Sequence, residues 1–298
     1  MANVEHLTRL KQGAESWQKW RAGNSNIELD FREANLSGLD IQAASLSKAN
    51  LVGADLSHAE LITADLAGAD LSHAELIDAC LSEADLSNSI LRQAYLVDAD
   101  LHDANLIGAD LRAAKCQRTN FNGANLIGTS MRKANLSRAS LIAARLQRTN
   151  LSEAELVLAH GNEADFSHAN LYDAELLEFF GYKANFYRVK AISSHFWKAY
   201  LSCANFSEAQ LIESDFRWVN FTRANLDRSN LARANLRGTN FNNANLKHAN
   251  LAEANLREAN FTKADLRGAN LTGANIEDAI FHRARLQGTI MPDGSKHY

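Results

Sequence analysis

The amino-acid sequence predicts an all-β fold, a parallel β-solenoid assembled from five-residue units, on three observations. Every fifth residue from Phe31 to Met291 is an apolar centre: of 53 such positions, Leu fills 34 and Phe 11. Two residues before each centre lies a small site, Ala in 39 cases and Ser or Thr in 9. The third observation is an avoidance, because the 298-residue chain holds a single proline, Pro292. Proline has no N–H to give to a strand ladder, so its exclusion implies that nearly every backbone donor is engaged. A strict period of five matches neither the 3.6 of a helix nor the 2.0 of a strand. It suits a unit that turns a corner and points two of its five side chains inward, and such units bury apolar surface only when stacked.

The chain begins with a different pattern. Val4, Leu7, Leu10, Ala14 and Trp17 fall on one face of an amphipathic helix. Residues 1–28 are therefore expected to be a lead-in with an α-helix over about 3–21 that caps the first coil. A solenoid end otherwise exposes unpaired strand edges. The basic residues Arg9, Lys11, Lys19 and Arg21 are interspersed with Glu5 and Glu15, which favours a cap over a membrane-surface helix.

Residues 29–291 form the repeat, and the phenylalanines set its coil length. Centre Phe pairs 20 residues apart occur six times, pairs 10 apart three times, and pairs 5 or 15 apart once each. Rings stack best on rings, since mixed columns leave gaps or clashes. Four pentads per coil follow, hence a roughly square section and about 13 coils, ~63 Å long at the ~4.8 Å strand spacing.

The pattern falters between residues 157 and 200. Gly161 and Gly181 replace centres, Ala191 underfills one, and Phe179 and Val189 occupy small sites. A Phe at a small site would overpack a regular coil by ~1–3 kcal/mol, so a bulge or short excursion near 177–195 is expected. Beyond the repeat, residues 292–298 form a tail. It either folds over the last coil or leaves that end to dock on another molecule, a second copy included.

The Ala-(Asp/Asn)-Leu-X-X reading of residues 29–291 resembles that of the pentapeptide repeat proteins. The lead-in LKQGAESWQKWR (10–21) and the ending IMPDGSKH (290–297) resemble flanks of cyanobacterial members. The resemblance implies a right-handed quadrilateral parallel β-helix and a non-enzymatic, protein-binding role. Family members that inhibit DNA gyrase dimerise through C-terminal elements beyond the repeats, which seven residues after Met291 do not supply.

Inward positions are explained by packing, so function is sought on the outer residues. Of 23 aromatic residues, 13 lie between Tyr172 and Phe221. By register Val157, Leu158, Leu177, Trp197 and Trp218 face outward on consecutive coils of one wall, with Phe180, Tyr182 and Tyr200 on the next. Contiguous exposed apolar surface bearing Trp and Tyr marks an interface. The alternative is that an excursion folds these rings onto one another.

Charge is segregated: residues 31–110 carry 14 acids and 3 bases, 111–150 carry 8 bases and no acid, and 151–180 carry 7 acids and no base. About 19 Å of DNA carries about 11 charges, which the first four coils supply. The resemblance to gyrase-inhibiting family members makes DNA-mimicking inhibition of gyrase the alternative to a scaffold, although the coils after residue 110 are net positive. The basic belt wraps three faces without interleaved aromatics, against a nucleic-acid interface. No phosphate loop, catalytic constellation or metal spacing is visible, so no enzyme, cofactor, metal or small-molecule substrate is expected. Three unpaired cysteines and no apolar segment of membrane-spanning length point to a cytoplasmic setting.

Overall fold

The computed structural model describes residues 2–298. One pentad shows why the sequence takes this form. Leu51 and Ala54 point inward and are fully buried. The N–H of Leu51 donates to Asp70 O (2.7 Å) and that of Gly53 to Ser72 O (2.9 Å), both on the next coil, while Asp55 donates back to Ala34 O (2.9 Å). Ala54 N–H closes the turn onto Leu51 O (3.0 Å), and Val52 N–H donates to the Asn50 side chain (3.3 Å). All five donors are used, which is the physical basis of the missing prolines.

Each turn places its second outer residue at positive φ. Glycine suits that geometry, and Gly53 adopts it, yet 42 non-glycine residues do so as well, from Glu33 (58°) to Arg283 (56°). Asp or Asn before the centre supports these turns by accepting from the N–H two residues on, as at Asp30, Asn35, Asp55 and Asn205. Each such contact is an Asx turn, which the Asp or Asn of the Ala-(Asp/Asn)-Leu-X-X pattern supplies.

The chain divides into two compact units, residues 1–150 and 151–298. In the first, parallel bridges join residues 20 apart from Asp30↔Asn50 to Ser130↔Asn150, so a coil holds four pentads. Two helices lie over its first coil, α1 (Val4–Leu10) and α2 (Ala14–Gly23), where the sequence suggests a single helix over 3–21. Gly13, at φ 98°, breaks the run, since only glycine enters that region without steric cost. Leu10 and Trp17 are buried as expected, but Val4 is exposed and His6 is buried in its stead. Asn3 N–H reaches Asp30 O (3.0 Å), His6 Nδ1 accepts from Asp30 N–H (3.2 Å), and Trp17 Nε1 donates to Ser45 O (3.1 Å).

In the second unit the same register runs from Glu155↔Glu175 to Asn270↔Ile290. The six Phe pairs 20 apart are all stacked, from Phe186–Phe206 at 4.4 Å between centroids to Phe221–Phe241 at 5.5 Å. The bulge expected near 177–195 is absent: the turn pattern is unbroken and His160↔Phe180, Asn170↔Lys190 and Glu175↔His195 keep register. Size compensation is the reason. A Cβ on Gly161 would lie 2.4 Å from Phe179 Cζ, and one on Gly181 would lie 2.8 Å from Phe179 Cε1. The Phe179 ring, fully buried, fills the space of two missing centre side chains.

Outward asparagines add a second ladder. Asn245 Nδ2 donates to Asn225 Oδ1 (2.8 Å), Asn225 to Asn205 (3.2 Å) and Asn205 to Asn185 (2.9 Å). Buried hydroxyls at small sites are likewise satisfied: Ser194 and Thr239 donate to Leu171 O (2.7 Å) and Phe216 O (2.8 Å). The tail folds back, with Ile290 and Lys296 in an antiparallel bridge and Gly288 N–H on His297 O (2.7 Å). Pro292 stands at the first outer position of a turn. That N–H elsewhere needs an Asp or Asn side chain, and Ile290 offers none.

Candidate partner-binding wall

Residues 20 apart stack in columns, so the outer chemistry is read column by column. Val157, Leu177 and Trp197 form one such column, half-buried on three successive coils, and Arg217 continues it. Trp197 carries the Lys198 ammonium over its ring at 4.1 Å from the centroid. Leu158 and Trp218 belong to the neighbouring turn column, where Glu178 and Lys198 separate them. They are therefore not part of one contiguous apolar strip. The Trp218 ring instead spreads over Gly238 on the next coil, where a Cβ would meet Trp218 Cε3 at 2.4 Å.

The next wall holds a ring ladder. His160, Phe180 and Tyr200 stack at 4.6 Å (8°) and 4.9 Å (4°). Packing thus consumes the ring faces and leaves edges outward: Phe180 is half-buried, while Tyr200 is 50% exposed. Tyr182, 46% exposed, holds Lys183 beside its ring. The excursion that would fold these rings onto one another is absent; His160, Phe180 and Tyr200 instead stack within the regular ladder, while Tyr182 and Tyr200 stay about half exposed.

Sequence reasoning overlooked a third column, Tyr172, Ile192 and Ile212, whose Tyr172 is 51% exposed. The signal was available, because these residues are spaced by 20 just as Val157 and Leu177 are.

Electrostatics away from this wall is structural. Asp110 is held down at about 2: burial alone would raise its pKa, but hydrogen bonds from Arg112 and Arg92 outweigh it. The hydrogen bond from Arg32 does the same for Asp30, also to about 2. Burial pushes the Cys116 thiol up to about 12, which removes it from thiolate chemistry. Among the described residues no cluster of His, Cys, Asp and Glu is arranged to hold a metal ion. None of their helices is long and apolar enough to cross a membrane.

A coil of four pentads, closed by 20-residue register and filled by Leu, Phe and Ala, defines a parallel β-solenoid whose outer chemistry lies on its walls. The profile described as pentapeptide repeats (8 copies) matches residues 49–88, 79–115, 104–141, 139–176 and 182–217, and that of a pentapeptide repeat region matches 214–290. The chain belongs to the pentapeptide repeat family, whose fold is a right-handed β-helix. Comparison with curated proteins gives no match.

Among solved structures the chain is similar to HetL, a pentapeptide repeat protein involved in heterocyst differentiation regulation from the cyanobacterium Nostoc sp. strain PCC 7120. The identity is 29% over 94% of this chain and 98% of that one, with a TM-score of 0.25. It is also similar to QnrB1, a plasmid-mediated fluoroquinolone resistance protein (22% identity, 65% and 91% coverage, TM-score 0.41). A pentapeptide repeat protein of the Arabidopsis thaliana thylakoid lumen shows 33% identity, with 33% and 68% coverage and a TM-score of 0.18.

Proposed function

We propose that this chain is a non-enzymatic protein-binding scaffold with a regulatory role. In this reading a quadrilateral helix of about 13 coils, capped by its N-terminal lead-in, presents the wall of residues 157–218 to a protein partner in the cytoplasm. The observation that carries it is that Tyr182, Tyr200 and Trp218 stay about half exposed on coils tied to one another by backbone hydrogen bonds. Rigid aromatic side chains of this kind give contact area at little entropic cost, and Tyr and Trp dominate binding hot spots. No partner-induced folding is required, so affinity is not spent on ordering the wall.

Affinity capture from the source cells, comparing the wild type with a Trp197→Ser/Trp218→Ser variant, tests the reading. Loss of a specific captured protein with the variant supports it, and an unchanged capture profile refutes it. The acid-rich stretch 31–110 favours a second reading, gyrase inhibition by DNA mimicry. A supercoiling assay without effect at micromolar protein removes that reading.

A further inference from the structure

The wall that carries Val157, Leu177 and Trp197 has a second lane beside the apolar one. Glu155, Glu175 and His195 precede the same inward centres that these residues follow, and parallel bridges stack them coil on coil. Each step is ~4.8 Å. Asp173 and Glu178 stand at the two corners of the wall, on the coil that holds Glu175 and Leu177. Glu175 and His195 are each 43% exposed and 3.9 Å apart. Both lanes end at the same level, where Arg217 follows Trp197 and forms an ion pair of 2.6 Å with Asp215. The wall thus carries an apolar lane, Val157, Leu177 and Trp197, beside a lane whose carboxylates are Glu155 and Glu175 and whose end is His195; its first two coils fall in residues 151–180, which hold 7 acids and no base.

We infer that this wall receives a cationic amphipathic helix of a protein partner, lying along the solenoid axis. The inference rests on the scaffold reading above and names the chemistry of its partner. A helix repeats one face every 5.4 Å, close to the ~4.8 Å coil step, so its side chains at i, i+3/4 and i+7 meet successive coils. Apolar side chains on one stripe of that helix cover Val157, Leu177 and Trp197. Lysines or arginines on the two flanks of that stripe meet Asp173 and Glu175 on one side of Leu177 and Glu178 on the other. An acidic or neutral helix would leave those carboxylates facing like charge or partly desolvated without a counter-ion. Two coil steps, ~10 Å, accommodate about two helical turns.

The test uses the full-length protein and a fluorescent peptide of about 14 residues with leucines along one stripe and lysines on both of its flanks. A counterpart with glutamates in place of the lysines serves as control. The lysine peptide is expected to bind in a salt-sensitive manner by fluorescence anisotropy, and the glutamate peptide not to bind. Asp173→Asn/Glu175→Gln/Glu178→Gln should weaken binding at least about tenfold. The equally charged change Glu60→Gln/Asp78→Asn/Glu83→Gln, elsewhere in the chain, should weaken it less than about twofold. Equal binding of both peptides, or equal effects of the two triple variants, overturns the inference. If Trp197→Ser abolishes binding while the wall carboxylates can be neutralised without effect, the scaffold reading stands and the cationic partner falls. If neither change matters, both fall.

Discussion

The compensation between Phe179 and its glycines can be tested by exchanging them. Phe179→Ala empties a fully buried ring site and should cost about 3–5 kcal/mol. Gly161→Leu alone drives a side chain into that ring, since even its Cβ would stand 2.4 Å from Phe179 Cζ. Its cost is at least about 1–3 kcal/mol. Independent effects would sum to about 4–8 kcal/mol. Together, however, the two changes recreate the ordinary pattern, Leu at the centre and Ala at the small site, with only Gly181 left underfilled. The double variant is therefore expected within about 1–2 kcal/mol of the wild type, a coupling of several kcal/mol in the favourable direction. Urea unfolding followed by tryptophan fluorescence reads this directly, because Trp197 and Trp218 sit one and two coils beyond the exchange. Additivity of the two single changes would refute the compensation, and so would a harmless Gly161→Leu.

Further outcomes follow from the turns, ladders and charges. Gly128 is at φ 68° with open space around its missing Cβ, so Gly128→Ala should destabilise by about 1 kcal/mol from backbone strain alone. Ala143→Gly (φ 55°) should be neutral to stabilising by up to about 1 kcal/mol, measured by chemical denaturation. Asn225→Asp removes the amide that donates to Asn205 at 3.2 Å and sets two acceptors face to face. A loss of about 1–3 kcal/mol is expected, and Asn225→Ala should not be worse than the aspartate if repulsion contributes. Asp110→Asn keeps the turn acceptor but loses the charge that binds Arg92 and Arg112 at 2.6 and 2.7 Å. Because the folded pKa is depressed to about 2, the wild-type advantage is full above the ordinary carboxylate range. It should fade as pH falls from about 4 toward 2; an advantage of about 1–2 kcal/mol at neutral pH, discounted for solvent-exposed arginines, is checked by urea midpoints across pH.

The fold was legible because its period is local and repeated: Leu, Ala and Asp or Asn recur at fixed offsets, and stacked Phe pairs disclose the coil length. Departures were harder to judge, because each was weighed alone. Gly161, Phe179 and Gly181 look like three faults in a line of sequence, yet they are one packing solution once adjacent coils are superposed. The same projection separates Leu158 from Trp218 by Glu178 and Lys198, and brings Tyr172 into line with Ile192 and Ile212. Gly13 was a local signal with a local consequence: the apolar spacing around it suits a helix, but one residue at φ 98° divides that helix in two.

The coil-to-coil register of twenty residues has a consequence for how such a chain can vary. Adding or deleting a single residue within a coil would rotate every later side chain away from its column and mismatch all the rungs that follow. Adding five would leave leucines inward but shift each wall by a quarter turn. Only steps of twenty restore every alignment at once, so the length of this architecture is quantised while its outer surface remains free to change one side chain at a time.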